Sequence, residues 1–237
     1  MQKITVLLPV KNGEPYISES INSVLGQSFP NFELLIFNDN STDDTLKTLE
    51  TYHDSRIQIF NSKDGFIANL NKGLDLAKGQ YIARMDADDT MHPERLKIQL
   101  EIMETTDTDI CSSWMNVFGE GIDDYVSNHG LQGRIDNPLE KLYWSNFVAH
   151  PSVMLRKAFL IKHNLHYENY PHVEDFKLWT EIAKKNGVFY VDSRMLLNYR
   201  VSKNQVTNIH EREMGRQDSI VRGEIAEHLR SLQNNTK

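Results

Sequence analysis

The sequence predicts an α/β fold with a mostly parallel central sheet flanked by helices. Two observations carry that expectation: short continuous apolar runs rich in β-branched residues, and stretches of helical periodicity between them. A third is that each run ends in a polar, mostly acidic loop, "KNGEP", "NDNSTDD", "NSKDG" and "DADD" in turn. In open sheets of this kind ligands bind beyond the carboxyl ends of the strands, so these four loops are where chemistry is expected.

The elements follow in order. "ITVLLPV" (Ile4 to Val10) reads as a strand covered on both faces; Ile17, Ile21, Val24 and Leu25 then recur at helical spacing before a second buried strand, "FELLIF". "STDDTLKTLETY" reads as a helix with Ser41 or Thr42 as N-cap, and Asp43 and Asp44 in its first turn suit the helix dipole. "IQIF" is a strand, "FIANLNKGLDLAKG" a helix stopped at Gly79, and "YIARM" a strand. Alternation of this kind implies right-handed crossovers. Beyond Pro93 come a helix, "PERLKIQLEIMET", and a strand around Ile110 to Phe118. Gly119 to Gly133 lacks periodicity and reads as a loop or irregular hairpin that could lie over a site. "VAHPSVMLRK" is a strand bent at His150-Pro151, "VEDFKLWTEIAKKNG" a helix with a stripe at Phe176, Trp179 and Ala183 ending at Gly187, and "VFYV" a last strand. From about Asn208 a charged segment suggests a terminal helix, packed on the body or reaching a partner.

With 237 residues and 39% apolar content the chain can bury a full core. Its net charge of -7 argues against nucleic acid or an anionic membrane surface as principal partner. The single cysteine, Cys111, cannot form an internal disulfide and is expected to be a buried structural thiol. The first residues lack the pattern of a secretory signal, and no apolar run approaches the length of a membrane span, so the expected location is cytoplasmic.

Asp86, Asp88 and Asp89 fall within four positions directly after a buried strand. Carboxylates so close raise one another's pKa unless a cation sits among them. A bound metal is one explanation; a solvated turn with Asp89 or Thr90 capping the helix begun at Pro93 is another. Met91 and Lys97 stand where a calcium-binding EF-hand loop needs glycine and glutamate, whereas a small divalent ion held by one or two carboxylates suits the pattern. Asp39, ahead of the helix cap at the end of the second strand, is placed to meet a ligand's ring N–H or hydroxyls. Glu174 and Asp175 open a helix, where exposed acids stabilise the dipole and have their pKa lowered by it; a general base for a hydroxyl remains open to them. His150 alone reads as a hydrogen-bonded structural residue. Neither a dinucleotide glycine fingerprint nor a P-loop is present, which argues against a dinucleotide oxidoreductase or a P-loop NTPase; the tracts "HNLHYENYPH" and "HEREM" contain histidines, but neither matches H-E-x-x-H, so no zinc is assigned to them.

In order along the chain, the run from "ITVLLPVKNGEP" to "FNDNSTDDT", then "LNKGLDLAKGQYIARMDADD", "HPSVMLR", "VEDFKLW" and "YRVSKNQVT" resemble the family-two glycosyltransferases. The resemblance implies a GT-A fold, Rossmann-like in its nucleotide-binding half (residues 1–90) and fused to an acceptor-binding half (91–207), with a charged helical tail at 208–237. It implies transfer of a sugar, with inversion, from a nucleotide diphosphate donor such as a UDP-sugar to a saccharide or lipid-linked acceptor. A place in lipopolysaccharide, capsule or exopolysaccharide assembly, peripheral at the inner membrane's cytoplasmic face, comes with it. By matching position, Pro9, Val10, Asn12 and Glu14 line the nucleotide pocket and Asp39 contacts the base or ribose. Asp88 binds Mn²⁺ or Mg²⁺ at the diphosphate, while Asp86 holds the ribose or donor sugar with Asp89 beside it. Asp175 is the base, Glu174 orients it or touches the acceptor, and His150 lies near the acceptor. Two positions depart from the family pattern. Asn38 replaces the first of an Asp-Asp pair, and Ser202 replaces a metal-ligating histidine after Tyr199-Arg200, so Arg200, Ser202 or Lys203 is expected to meet the diphosphate instead. A sugar nucleotidyltransferase and a non-catalytic nucleotide-sugar binder are the alternatives, although "KNGEPYI" is not the glycine-rich basic loop the former needs.

Overall fold

A computed structural model describes residues 2–128, 130–202 and 210–234. Four parallel strands form one half of a single sheet: β1 (Ile4–Val10), β2 (Phe32–Asp39), β3 (Ile57–Ser62) and β4 (Tyr81–Arg84), with β1 between β2 and β4. Their crossovers are α1 (Ile17–Leu25), α2 (Thr45–Glu50) and α3 (Phe66–Leu76). After β4 the chain makes the two-residue β5 (Thr90–Met91), α4 (Arg95–Thr105), β6 (Ile110–Gly119), β7 (Tyr125–Ser127) and β8 (Gly133–Arg134). Then come α5 (Pro138–Trp144), a 3₁₀ turn at His150–Ser152, β9 (Met154–Arg156), α6 (Lys157–His163), α7 (Glu174–Lys184), β10 (Phe189–Val201) and α8 (Glu211–Asn234).

The spatial order is β3-β2-β1-β4-β9-β6-β10-β5. β9 runs antiparallel to both β4 and β6 and so joins the parallel quartet to the parallel β6–β10 pair. Strand alternation sorts apolar residues onto two faces. Leu7, Leu35 and Phe37 join Phe176, Trp179, Val221 and Ile225 on one; Val6, Leu8, Leu34 and Ile36 meet Ile17, Ile21, Leu96 and Met103 on the other. Cys111 lies in that second core, where burial pushes its thiol up to about 12.

Several local expectations change. α2 begins at Thr45, because Asp43 closes a turn by accepting the Thr45 N–H (3.0 Å) and Ser41 is engaged elsewhere; neither Ser41 nor Thr42 caps it. α3 ends at Leu76, and Gly79 serves instead to let the chain pass against β1. α4 starts at Arg95, so Asp89 and Thr90 are not its caps; Thr90 lies in β5. Gly119 to Gly133, by contrast, takes the second of its two expected forms, an irregular hairpin, with β7 folding back on β6. The last strand is thirteen residues rather than four, with register shifts around Met195 where Asp192 accepts hydrogen bonds from the Arg194 backbone and side chain. That length lets β10 reach β5, pairing Leu197 with Met91 and Asn198 with Thr90, and so clamps the acidic turn against the sheet.

α8 packs on the body. Val221 and Ile225 are buried, Glu224 pairs with Lys177 of α7 (2.5 Å), and Arg222 donates to the Leu142 carbonyl of α5 (3.1 Å). A methyl group at Gly79 would come within 2.6 Å of the Ile4 carbonyl carbon, backbone that cannot rotate away. Gly79→Ala should therefore lower the unfolding free energy by about 1–3 kcal/mol, read from the midpoint of urea denaturation.

Candidate active site

A cleft of about 2220 Å³ opens at the carboxyl ends of β1, β2 and β4. It exceeds the roughly 300–1,000 Å³ of a single small-molecule pocket, so it has room for two substrates together. Pro9, Val10, Asn12, Glu14, Asp39, Asp86, Asp88, His150, Glu174 and Asp175 all line it, although they come from segments as far apart as the first and last thirds of the chain.

At the β1–β2 end, two loops lock each other. The Asn12 amide oxygen accepts the Thr42 N–H (2.8 Å), its own N–H donates to Ser41 Oγ (2.8 Å), and the Gly13 N–H donates to Thr45 Oγ1 (2.8 Å). Glu14 takes a hydrogen bond from Thr48. Asn12 and Glu14 thus hold the rim of the cleft in shape. Asp39 accepts the Gly65 N–H (3.2 Å), with the Lys11 ammonium 3.9 Å from its other oxygen.

The acidic turn answers the question of its cation in part. Arg84, the last residue of β4, is buried and pairs with Asp86. Arg95, fully buried, donates to the Arg84 carbonyl (2.9 Å) and so holds the strand end in place. Asp89 is buried beneath the cleft, outside its lining, and accepts the Arg200 backbone N–H (2.8 Å). Burial first, then the nearby Asp86, pushes Asp88 up to about 6; burial, Asp86 and Asp88 raise Asp89 well above the carboxylate range. Arg200 is turned to the Asp88 carbonyl (2.9 Å) and to Glu19, with its guanidinium 4.1 Å from the Tyr16 ring centre. It lines a neighbouring small pocket together with Ser202, which also lines the large cleft. Lys203 lies outside the described residues.

The carboxylate oxygens of Asp86, Asp88 and Asp89 can all be chosen within 4.8 Å of one another. An all-oxygen set of this kind suits Mg²⁺ or Mn²⁺. Asp89 Oδ2 is also buried with no hydrogen-bond partner among the described residues, a condition native proteins rarely leave unmet. The residues present therefore fit a divalent ion.

Glu174 and Asp175 occupy the first turn of α7. Burial outweighs the dipole expected to lower them: it is the first cause pushing Glu174 up to about 7, with Asp175 next, and Asp175 up to about 6. Hydrogen bonds from the Phe176 N–H and the Asn146 side chain, with the charge of Arg84, oppose the rise at Asp175. His150 is buried, 2.9 Å from the Tyr167 hydroxyl through Nε2 and edge-on to Trp179. Burial, with Arg84 near, holds its imidazole well below the usual range, so it is neutral at neutral pH.

Residues 5–163 match the profile of Glycosyl transferase family 2. The chain belongs to that family. An uncharacterized glycosyltransferase of Haemophilus influenzae is 32% identical over 223 residues, 89% of this chain and 69% of the relative. WfgD of Escherichia coli, described as a UDP-Glc:alpha-D-GlcNAc-diphosphoundecaprenol beta-1,3-glucosyltransferase, is 26% identical over 92% of this chain and 85% of its own length. The chain spans 32% of a Rickettsia felis glycosyltransferase to which it is 34% identical. In fold it is similar to S. aureus TarS 1-349 in complex with UDP, with a TM-score of 0.74 at 22% identity, covering 93% of this chain and 65% of TarS 1-349. The fold is accordingly the GT-A fold, and the protein is a transferase of the family-two type.

Arg84, Asn146 and Tyr167 also line the cleft and were not singled out from the sequence. Arg84 carried a signal: a charged residue inside an apolar strand, immediately before three acids, must be paired if buried. Asn146 and Tyr167 carried none, since their segments had no pattern.

Asp88, Asp89, Glu174 and Asp175 all have folded-state pKa values raised above the unfolded carboxylate range. The native state therefore binds more protons than the unfolded one. Stability should be fullest below about pH 4 for these groups and fall as pH rises through about 7. Urea unfolding at intervals across that range should show the decline in metal-free protein; a rise would contradict the assignment.

Proposed function

We propose that the protein transfers a hexose, with inversion, from a UDP-sugar to a saccharide or lipid-linked acceptor by a metal-assisted single displacement. The observation that carries the proposal is the pairing, within one cleft, of an oxygen-only acidic cluster with a carboxylate pair whose pKa values lie near neutrality. The names of WfgD and of the TarS complex support a UDP-sugar donor, and WfgD's supports a lipid-linked diphosphate acceptor.

Pro9, Val10, Asn12, Glu14 and Asp39 form the nucleotide end, residues 1–90 supplying the donor half and 91–207 the acceptor half. Asp88, with Asp86 and Asp89 beside it, would hold Mn²⁺ or Mg²⁺. That ion, when bound, supplies positive charge against the diphosphate as it departs. Asp175 accepts the acceptor hydroxyl's proton, Glu174 orients it, and Asn146 fixes its carboxylate. Arg84 keeps Asp175 ionised against the cost of burial and anchors Asp86 for the donor sugar. His150, neutral and held by Tyr167, shapes the acceptor side without exchanging protons. The lipid-linked acceptor in WfgD's name supports work at the inner membrane's cytoplasmic face; no helix among the described residues is long and apolar enough to cross a membrane.

Asp88→Ala and Asp175→Asn should each reduce transfer by ~10²-fold or more while leaving the protein folded, the scale of lost electrostatic or acid–base catalysis. A non-catalytic binder would be indifferent to Asp175→Asn, and near-normal turnover by that variant sinks its assignment as base. Because the base works only when ionised, transfer should rise with pH through about 6 to 7, following the raised values of Asp175 and Glu174. A thermal-shift screen of UDP-, GDP-, CMP- and dTDP-sugars with and without Mn²⁺ identifies the donor, since a ligand at 100 times its Kd adds about 2.7 kcal/mol of stability. Stabilisation by UDP-sugars that Mn²⁺ does not enhance would remove the metal from the scheme.

A further inference from the structure

A second cluster of ligating side chains lies apart from the acidic turn. His172 comes from the loop that leads into α7, two residues before Glu174, while His210 and Glu213 come from the start of α8. His172 Nε2 is 3.6 Å from Glu213 Oε2 and His210 Nδ1 is 3.9 Å from the same oxygen. The two imidazoles stack, with ring centres 4.2 Å apart and planes 16° from parallel. One ligand atom from each of the three residues falls within 4.8 Å of the other two. His172 and Met214 both line the large cleft, so the cluster sits on its rim.

We propose that His172, His210 and Glu213 form a binding site for a divalent transition ion of the Zn²⁺ type, separate from the acidic cluster and closing the rim of the cleft. The donor set decides the class of ion. Two imidazole nitrogens and one carboxylate oxygen favour Zn²⁺ over Mg²⁺ or Mn²⁺, which prefer oxygen ligands, and three protein ligands leave a fourth position for water or substrate. Bonds of about 2.0–2.1 Å in a tetrahedron put donors roughly 3.3 Å apart, so the present spacings need to contract by about 0.3 to 1.5 Å. Side chains that are partly exposed can rotate that far without disturbing the core. His172 is in the left-handed backbone region (φ 66°), and its ring meets the start of α8 through Glu213 and His210.

The consequence is mechanical. Further along, α8 is already fastened to α7 through Lys177 and Glu224. An ion at its first turn would add a second fastening, on the loop that leads directly into Glu174 and Asp175 at the start of α7. The ion would therefore govern how firmly the acceptor side of the cleft is held. This does not rest on the assignment of the reaction, because the site is read by metal binding alone.

The test uses the full chain, stripped of metal and titrated with Co²⁺, whose tetrahedral complexes absorb far more strongly in the visible range than six-coordinate ones. One equivalent should give the intense tetrahedral spectrum, Zn²⁺ should abolish it by displacement, and both behaviours should persist in Asp88→Asn, where the acidic cluster is weakened. His172→Ala and His210→Ala should each lower Zn²⁺ affinity by about 10²-fold or more, since even the outer partners of metal ligands are worth 10–100-fold. Glu213→Gln, a near-isosteric change at an exposed position, covers the case in which a histidine variant fails to fold, and should also weaken binding. Absence of the tetrahedral spectrum in the unaltered protein, its survival in both histidine variants, or its loss with Asp88→Asn alone overturns the proposal.

Discussion

The site depends on one buried cation. Arg84 lies at the end of β4 with 3% of its surface exposed, and its charge bears on Asp88 and Asp89 on one side and on Glu174 and Asp175 on the other. Burying a guanidinium without partners costs several kcal/mol, and burying carboxylates together costs more through mutual repulsion. Each problem is part of the other's solution. Asp86 pairs with Arg84 directly, and burial raises the remaining carboxyls toward neutrality, with repulsion from Asp86 adding to the rise at Asp88. An arrangement so close to balance is sensitive to any further charge in the cleft, and a divalent ion or a diphosphate brings that charge.

Holding this balance requires stiff supports, and they come largely from hydrogen bonds that fix the backbone. Arg95 holds the Arg84 carbonyl, the Asn12 and Ser41 loops grip each other, and Thr90 and Met91 pair with the far end of β10. The same β10 segment delivers the Arg200 N–H to Asp89 and the Arg200 side chain to the Asp88 carbonyl. Arg200, two residues before Ser202, thus fixes the backbone of the acidic turn. On the acceptor side α8 braces α7, so the charged C-terminal helix is structurally part of the cleft's wall.

The elements up to Met85 were legible because their signals are local. A fully buried parallel strand must be apolar along its whole length, and its crossover helix must be apolar on one stripe, so β1, β2 and β4 announce themselves with their helices, while the edge strand β3 is only partly buried. The acids at the strand ends were visible for the same reason: they break those runs. α2 was overextended because Asp43 closes a turn that resembles a helix start. β5, β8, α5 and α6 are short, and half of β10 is only partly buried, so none imposes a period on its sequence.

By itself, then, the sequence determined the α/β class, the parallel strand order's raw material, the acidic turn after β4 and the acid pair opening α7. These are consequences of burial pattern and of residue types that only a ligand or solvent can satisfy. Tertiary structure alone decided that the two acid groups share one cleft, that Arg84 stands in reach of both, and that burial rather than the helix dipole governs Glu174 and Asp175. The reason is that desolvation and Coulomb interactions depend on distances between segments far apart in the chain, and no local pattern encodes those distances.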